Sequence, residues 1–223
     1  MVMPILLFAN VLIISFSNLI IPEFSRLLAS KNTKRIRNVC NTILKIAIVF
    51  SIGIGAIFFF FANELSLTIY GSIETAIWIR LLSPLVFFMY VDNIIDGMLK
   101  GINEQVGVML CNILDLVVTI LIIYFLVPII GMDGYILSIF ISEILNFIVS
   151  IFQLRKRIKF SIKFSYFFKA FSFSVISFLI TRFINIPFGV FNVVIKIIVF
   201  LGTYTLLFNY TDKIIKKSFY LFK

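Results

Sequence analysis

Histidine is absent from the 223-residue sequence, which closes off imidazole acid–base chemistry, histidine proton relays and histidine-ligated metals. Cysteine is nearly as scarce. Cys40, in a basic stretch, and Cys111, in an apolar run, are too few and too isolated for a metal cage or a disulfide framework. Charge is thin, at 13% of residues against 61% hydrophobic. A chain of this length lacks the interior volume to hide so much apolar surface from water, so lipid is the solvent that the composition fits. With about 20 apolar residues per crossing, the length has room for about six to eight spans. There is no GxxxxGK[ST] phosphate loop, HExxH pair, GxSxG elbow or CxxC pair. No catalytic residue, metal or cofactor is therefore expected, and any transport would draw on an ion gradient, the membrane potential or the substrate's own gradient.

What the sequence does have is long apolar runs. Seven stand out, at about 3–21, 43–62, 75–92 (continuing as a more polar helix to about 100), 106–130, 134–153, 170–187 and 190–210. Pro22, Pro128, Gly131, Gly134 and Pro187 fall at or beside the run ends, and Pro84 lies inside the third. The net charge of +10 then resolves into topology. Of the twenty cations, seventeen lie on alternate connections: Arg26 to Lys45 after span one, Lys100 after span three, Arg155 to Lys169 after span five, and Lys213 to Lys223 in the tail. The intervening connections have none, and the first of them holds Glu64 and Glu74. Basic loops stay cytoplasmic, so the N-terminus is expected outside and the C-terminus inside a cell (cytoplasmic) membrane, as an odd number of spans requires. The cations read as anchors toward anionic membrane lipid rather than as a nucleic-acid surface. Met1 leads straight into an apolar run with no basic n-region or cleavage site, so a secretory signal peptide is not expected. A first span that enters from outside reads as one that follows earlier spans.

Charges inside spans are costly, about 2.5–3.5 kcal/mol each on insertion scales, and are functional candidates by default. Arg80, Asp92, Asp96, Asp115, Glu143, Arg182 and Lys196 qualify. Arg182 and Lys196 lie near the outer ends of their spans, where long stems reach water, and read as anchors. Asp92, Asp96, Lys100 and Glu104 recur every four residues, on one helical face, with Asp96 at pairing distance along the helix from Lys100. Gly97 and Gly101 form a small-xxx-small pair suited to close helix approach or a helix end. Asn112 and Asp115 in span four, and Ser142, Glu143 and Asn146 in span five, set carboxylates beside amides. Such groups either satisfy one another in a bundle interior or form a protonatable or cation-binding site, and Asp115, flanked by leucines and valines, is the sharper candidate.

The runs SPLVFFMYVDNIIDGMLKGINEQ at 83–105, NILDLVVTILIIYFLVPIIGMDGYI at 112–136 and SEILNF at 142–147, together with the opening MPILLFANVLIISFSNLIIPEFSRLLA, resemble the C-terminal half of the stage V sporulation protein B and polysaccharide exporter family. That family lies in the multidrug/oligosaccharidyl-lipid/polysaccharide flippase superfamily, beside the lipid II flippases and the multidrug and toxin extruders. The resemblance covers most of residues 1–157. It implies two helical lobes around a central cavity, with this chain supplying most of the second lobe (1–157), a basic cytoplasmic connection (158–169) and two terminal spans with a basic tail (170–223). It makes Arg80, Asp92, Asp96, Asn112, Asp115, Glu143 and Asn146 lobe-interior or cavity-wall residues, and Arg80 or Arg26 the contact for an anionic lipid-pyrophosphate headgroup.

The expectation is therefore an all-α integral membrane protein of about seven transmembrane helices, not an enzyme. Its expected function is as one half of a flippase for a lipid-linked saccharide such as a cell-wall or spore-cortex precursor, with a partner chain supplying the other lobe. Two alternatives stand: a cation-coupled multidrug extruder with Asp115 or Glu143 as the coupling carboxylate, and a truncated or split-gene product without transport of its own.

Overall fold

Long apolar runs bounded by polar ends have one low-energy form in lipid, the helix, because it satisfies its own backbone groups. The computed structural model describes residues 3–161, 164–183 and 189–211. They form α1 (Met3–Ala29), α2 (Thr33–Phe60), α3 (Ala62–Tyr70), α4 (Glu74–Leu82), α5 (Leu85–Gly101), α6 (Gln105–Ile130), α7 (Met132–Arg157), α8 (Ser165–Thr181) and α9 (Gly189–Thr211), with no strand among the described residues. The all-α membrane fold expected from composition is the one observed. Helices α1, α2, α6, α7 and α9 are long and apolar enough to cross a membrane. The pair α4 and α5 is long and apolar enough only when taken together, and it is bent by 43°, as a broken span or a re-entrant loop is. The bend falls at Ser83 and Pro84, where the ring removes a backbone donor. Helix α8, at 17 residues, is a shorter apolar helix. The expected end of that span near Pro187, and the tail cations Lys213 to Lys223, lie outside the described residues.

Several boundaries differ from the hydropathy reading, for one physical reason: helices outlast their apolar stretches. Pro22 is inside α1, not at its end, and the helix runs on to Ala29 because Phe24 and Leu27 beyond the proline are fully buried. Helix α2 begins ten residues before its apolar run, so Cys40 is a buried helical residue beside the Met98 sulfur at 3.8 Å rather than part of a loop. Pro128, by contrast, keeps its expected place, two residues before the end of α6 at Ile130. The connection expected at 63–74 holds the nine-residue α3, closed by Gly71 in the left-handed region at φ 66°.

The chain divides into two compact units. The first comprises Met1–Ala9, Asn41–Phe87 and Ser161–Lys223. Its α8 turns one face of small residues, Ala170, Ser174, Ser177 and Thr181, inward at helical spacing, which allows close helix approach. Aromatic rings fill the seam: Phe60 stacks on Phe178 at 4.3 Å, Phe61 meets Phe200 edge-on at 5.9 Å, and the Tyr204 hydroxyl donates to the Val49 carbonyl at 2.7 Å.

The second unit comprises Asn10–Cys40 and Phe88–Phe160. Here α1 and α5 approach along the small pair expected from sequence. A Cβ on Gly97 would collide with the Ser17 side chain and come within 2.8 Å of its carbonyl; one on Gly101 would come within 2.8 Å of the Ile21 carbonyl. The Ser17 hydroxyl donates to the Asn93 carbonyl at 2.6 Å and Asn93 donates to Asn10 at 3.2 Å, sealing the contact. Helices α6 and α7 form a hairpin around Gly131, whose φ of 60° and ψ of −134° only glycine adopts without strain. Along α7, Gly134, Ser138, Ser142, Ser150 and Leu154 are buried, a stripe of mostly small residues at intervals of four completed by Asn146.

Replacing Gly97 by leucine should destabilise the protein by about 1–3 kcal/mol through overpacking. A clear fall in Tm in detergent checks it, with Gly202→Ala, where a Cβ would meet nothing within 4 Å, as the neutral control. Equal Tm values for the two variants would contradict the packing.

Candidate functional site

Three helices of the second unit bring the intramembrane polar residues together. Asp92 and Asp96 come from one face of α5, Asn112, Asp115 and Thr119 from α6, and Ser142, Glu143, Asn146 and Ser150 from α7. The amide of Asn146 donates to Asp92 Oδ2 at 2.9 Å. The Asn112 side chain bonds Asp96, and Ser150 lies beside Asp92. The Ser142 hydroxyl donates to Asp115 Oδ1 and accepts from Thr119 at 2.7 Å. Asp92 and Asp96 are 6% and 9% exposed, whereas Asp115 and Glu143 are half-buried. Glu143 stands within electrostatic reach of Asp115 and takes no hydrogen bond among the described residues. The pairing is thus crosswise between helices and not between neighbours on one helix: each of the amides at 112 and 146 serves a carboxylate of α5.

Two atoms break the pattern of satisfied groups. Asp92 Oδ1 and Asn146 Oδ1 are buried with no hydrogen-bond partner. Neither oxygen has a protein donor within hydrogen-bond distance, so this corner is where an added donor gains most.

The four-residue ladder holds only in part. Helix α5 stops at Gly101, the chain turns through Asn103 at φ 67°, and Glu104 lies outside the helix as the residue preceding α6. Glu104 pairs instead with Arg157 at the end of α7, at 2.6 Å. Asp96 and Lys100 stand within electrostatic reach of each other but not at ion-pair distance, and the hydrogen bond to Asp96 comes from Asn112. Arg80 belongs to the first unit, on α4, where it is exposed, lies over the Phe59 ring and donates to Asn63 Oδ1 at 3.3 Å. Arg26, at the end of α1, is exposed.

The sequence reading missed a second polar site, in the first unit. Lys196, expected to snorkel to water, is 8% exposed and bonds Glu64 of α3 at 2.7 Å. Its carboxylate partner comes from α3, an element that hydropathy alone does not reveal. The pair lines a cavity of about 400 Å³ with Asn63, Arg182 and the stacked Phe60 and Phe178. Ser150 and Thr119 also went unnoticed; the four-residue spacing of small residues on α7 was the available signal.

Helices of membrane-crossing length, with carboxylates hydrogen-bonded inside a bundle, define a multi-pass membrane protein with a polar intramembrane site. The MatE family profile matches residues 1–125, more than half of the sequence. The chain belongs to the MatE family, a transporter family of the multidrug/oligosaccharidyl-lipid/polysaccharide flippase superfamily. No curated protein and no solved structure matches it.

Lys196→Met and Glu64→Gln should each lower stability by about 1–3 kcal/mol, less than for a fully buried pair because Glu64 is a third exposed. The double variant should lose less than the two single losses combined, since neither partner is then left alone. Unfolding curves in detergent check this, and strict additivity would contradict it.

Proposed function

We propose that the chain provides one helical lobe of a flippase that moves a lipid-linked saccharide, such as a cell-wall or spore-cortex precursor, across the cytoplasmic membrane. Family membership supports a transporter, and the span-three motif at 83–105 supports the polysaccharide branch of the superfamily. The observation that carries the reading is the cluster on α5, α6 and α7. It gathers carboxylates, amides and hydroxyls in one place within the membrane, and Asp92 and Asn146 each keep an acceptor without a donor. Saccharide hydroxyls are the donors such a surface accommodates once it opens. In this reading Asp92, Asp96, Asn112, Asp115, Glu143 and Asn146 belong to the cavity wall; Arg80 or Arg26 is a separate candidate contact for the anionic headgroup. The lobe comprises 1–157, and the segments 158–169 and 170–223 are its basic connection and terminal pair. A second lobe comes from a partner chain or from further sequence.

The orientation proposed is N-terminus outside and C-terminus cytoplasmic. It draws support from the second unit, where the α1–α2 connection, the α5–α6 connection and the end of α7 converge on one cavity, as connections on the same side of a membrane do.

One observation favours a second reading, a cation-coupled multidrug extruder: Glu143 lies near Asp115 without a donor of its own, the environment of a carboxylate that takes up a proton or sodium ion. Precursor translocation in cells depleted of their own flippase, with the chain expressed together with a first-lobe partner, separates the two. The flippase reading expects restored translocation that falls about tenfold or more in Asp92→Asn at unchanged protein level. Ion-dependent dye efflux that Asp115→Asn abolishes, without precursor translocation, would transfer the assignment to the extruder. Rescue indifferent to Asp92→Asn would remove this cluster from the substrate path.

A further inference from the structure

Outside the intramembrane cluster, the second unit has a cavity of about 540 Å³ where its basic connections converge. Lys34 and Arg37 reach it from the start of α2, and Arg157 and Lys159 from the end of α7 and just beyond. The only acidic group among the lining residues is Glu104, which precedes α6 and bonds Arg157 at 2.6 Å. Four cations and one carboxylate leave the cavity a net charge of +3. Leu28, Ile36 and Ile158 contribute an apolar wall behind the charges.

We propose that this cavity is a binding site for a phosphate-bearing ligand, with Glu104 holding Arg157 in reserve until the phosphate displaces it. Like charges gathered around a concave, partly apolar wall repel one another and focus a positive potential, which an anion relieves. Two arginines match phosphate oxygens in planar, two-point fashion, and the lysines add unspecific charge. The volume exceeds what a single phosphate needs and lies in the range of sites for small organic ligands, so a diphosphate or a headgroup with the start of its chain is accommodated. Glu104 is 21% exposed and Arg157 55% at the side chain, so their bond faces the cavity mouth and is open to competition. A diffuse basic surface would treat every nearby cation alike. This site does not: Arg35, beside Lys34 on the same helix end, does not line it. The inference does not depend on the transport reading, since it concerns binding alone.

The test uses the full chain purified in a neutral detergent and titrated with inorganic pyrophosphate. Saturable binding is expected. Lys34→Gln combined with Arg37→Gln should weaken it about tenfold or more, as the loss of two charge-assisted contacts implies. Glu104→Gln, which frees Arg157, should tighten it by about threefold to tenfold. Arg35→Gln should leave it within about twofold of the parent. Repeating the titration in phosphatidylcholine nanodiscs with and without phosphatidylglycerol identifies the source. Suppression by phosphatidylglycerol names a lipid headgroup and indifference names a soluble phosphate; either result upholds the site. Absence of saturable binding, equal weakening by Arg35→Gln, or weaker binding in Glu104→Gln would each overturn it.

Discussion

A carboxylate in the hydrocarbon layer is stabilised by a donor inside the protein, and for Asp92, Asp96 and Asp115 this constraint organises the second unit. Asp92 and Asp96 lie one turn apart on α5 and Asp115 on α6, and each takes its donor from a helix other than its own. The donors are amides and hydroxyls. None of the three lies at ion-pair distance from a lysine or an arginine, although Lys100 stands within electrostatic reach of Asp96. Such an arrangement binds helices together without the hydrophobic effect, which contributes little between helices already surrounded by lipid. The same groups hold the fold and form the candidate site, so substitutions there test both at once.

Small residues make the arrangement reachable. Gly97 and Gly101 allow α1 to lie directly on α5, and the four-residue stripe on α7 brings its backbone near enough for short side chains such as Ser142 to reach Asp115. In the first unit the small face of α8 and the aromatic seam of Phe60, Phe178, Phe200 and Tyr204 fill the equivalent role, with rings in place of hydrogen bonds. There the buried charge is settled differently, by a direct ion pair between Lys196 and Glu64. The two units thus handle intramembrane polarity by two chemistries, neutral donors in one and an opposite charge in the other.

Hydropathy made the helical membrane class and the cores of the spans legible, because apolar length is a one-dimensional property. It misplaced the ends at Pro22 and Thr33, where helices continue beyond the lipid-like stretch with Phe24 and Leu27 buried on α1 and Ile36, Val39 and Cys40 buried on α2. Candidate residues were legible for the same reason: a charge in an apolar run is conspicuous. Their partners were not. Neighbours such as Asn112 and Asp115 suggested groups that satisfy one another in a bundle interior, but not which meets which: the structure pairs Asn112 with Asp96 and Asp115 with Ser142. Glu104 left its expected face because α5 ends three residues earlier, and Lys196 found Glu64 through a short helix that composition does not reveal. Which helix lies beside which is a three-dimensional fact that spacing along one chain does not encode.

The central claim is that hydrogen bonds between helices, and not lipid-facing apolar contact alone, hold α5 against α7 through the site. A double-mutant cycle across Asp92 and Asn146, using Asp92→Ala, Asn146→Ala and the pair, measures this directly by unfolding in detergent. The account predicts a favourable coupling of about 0.5–2 kcal/mol between the two positions. Additivity within about 0.3 kcal/mol would contradict it, because the two side chains would then act independently.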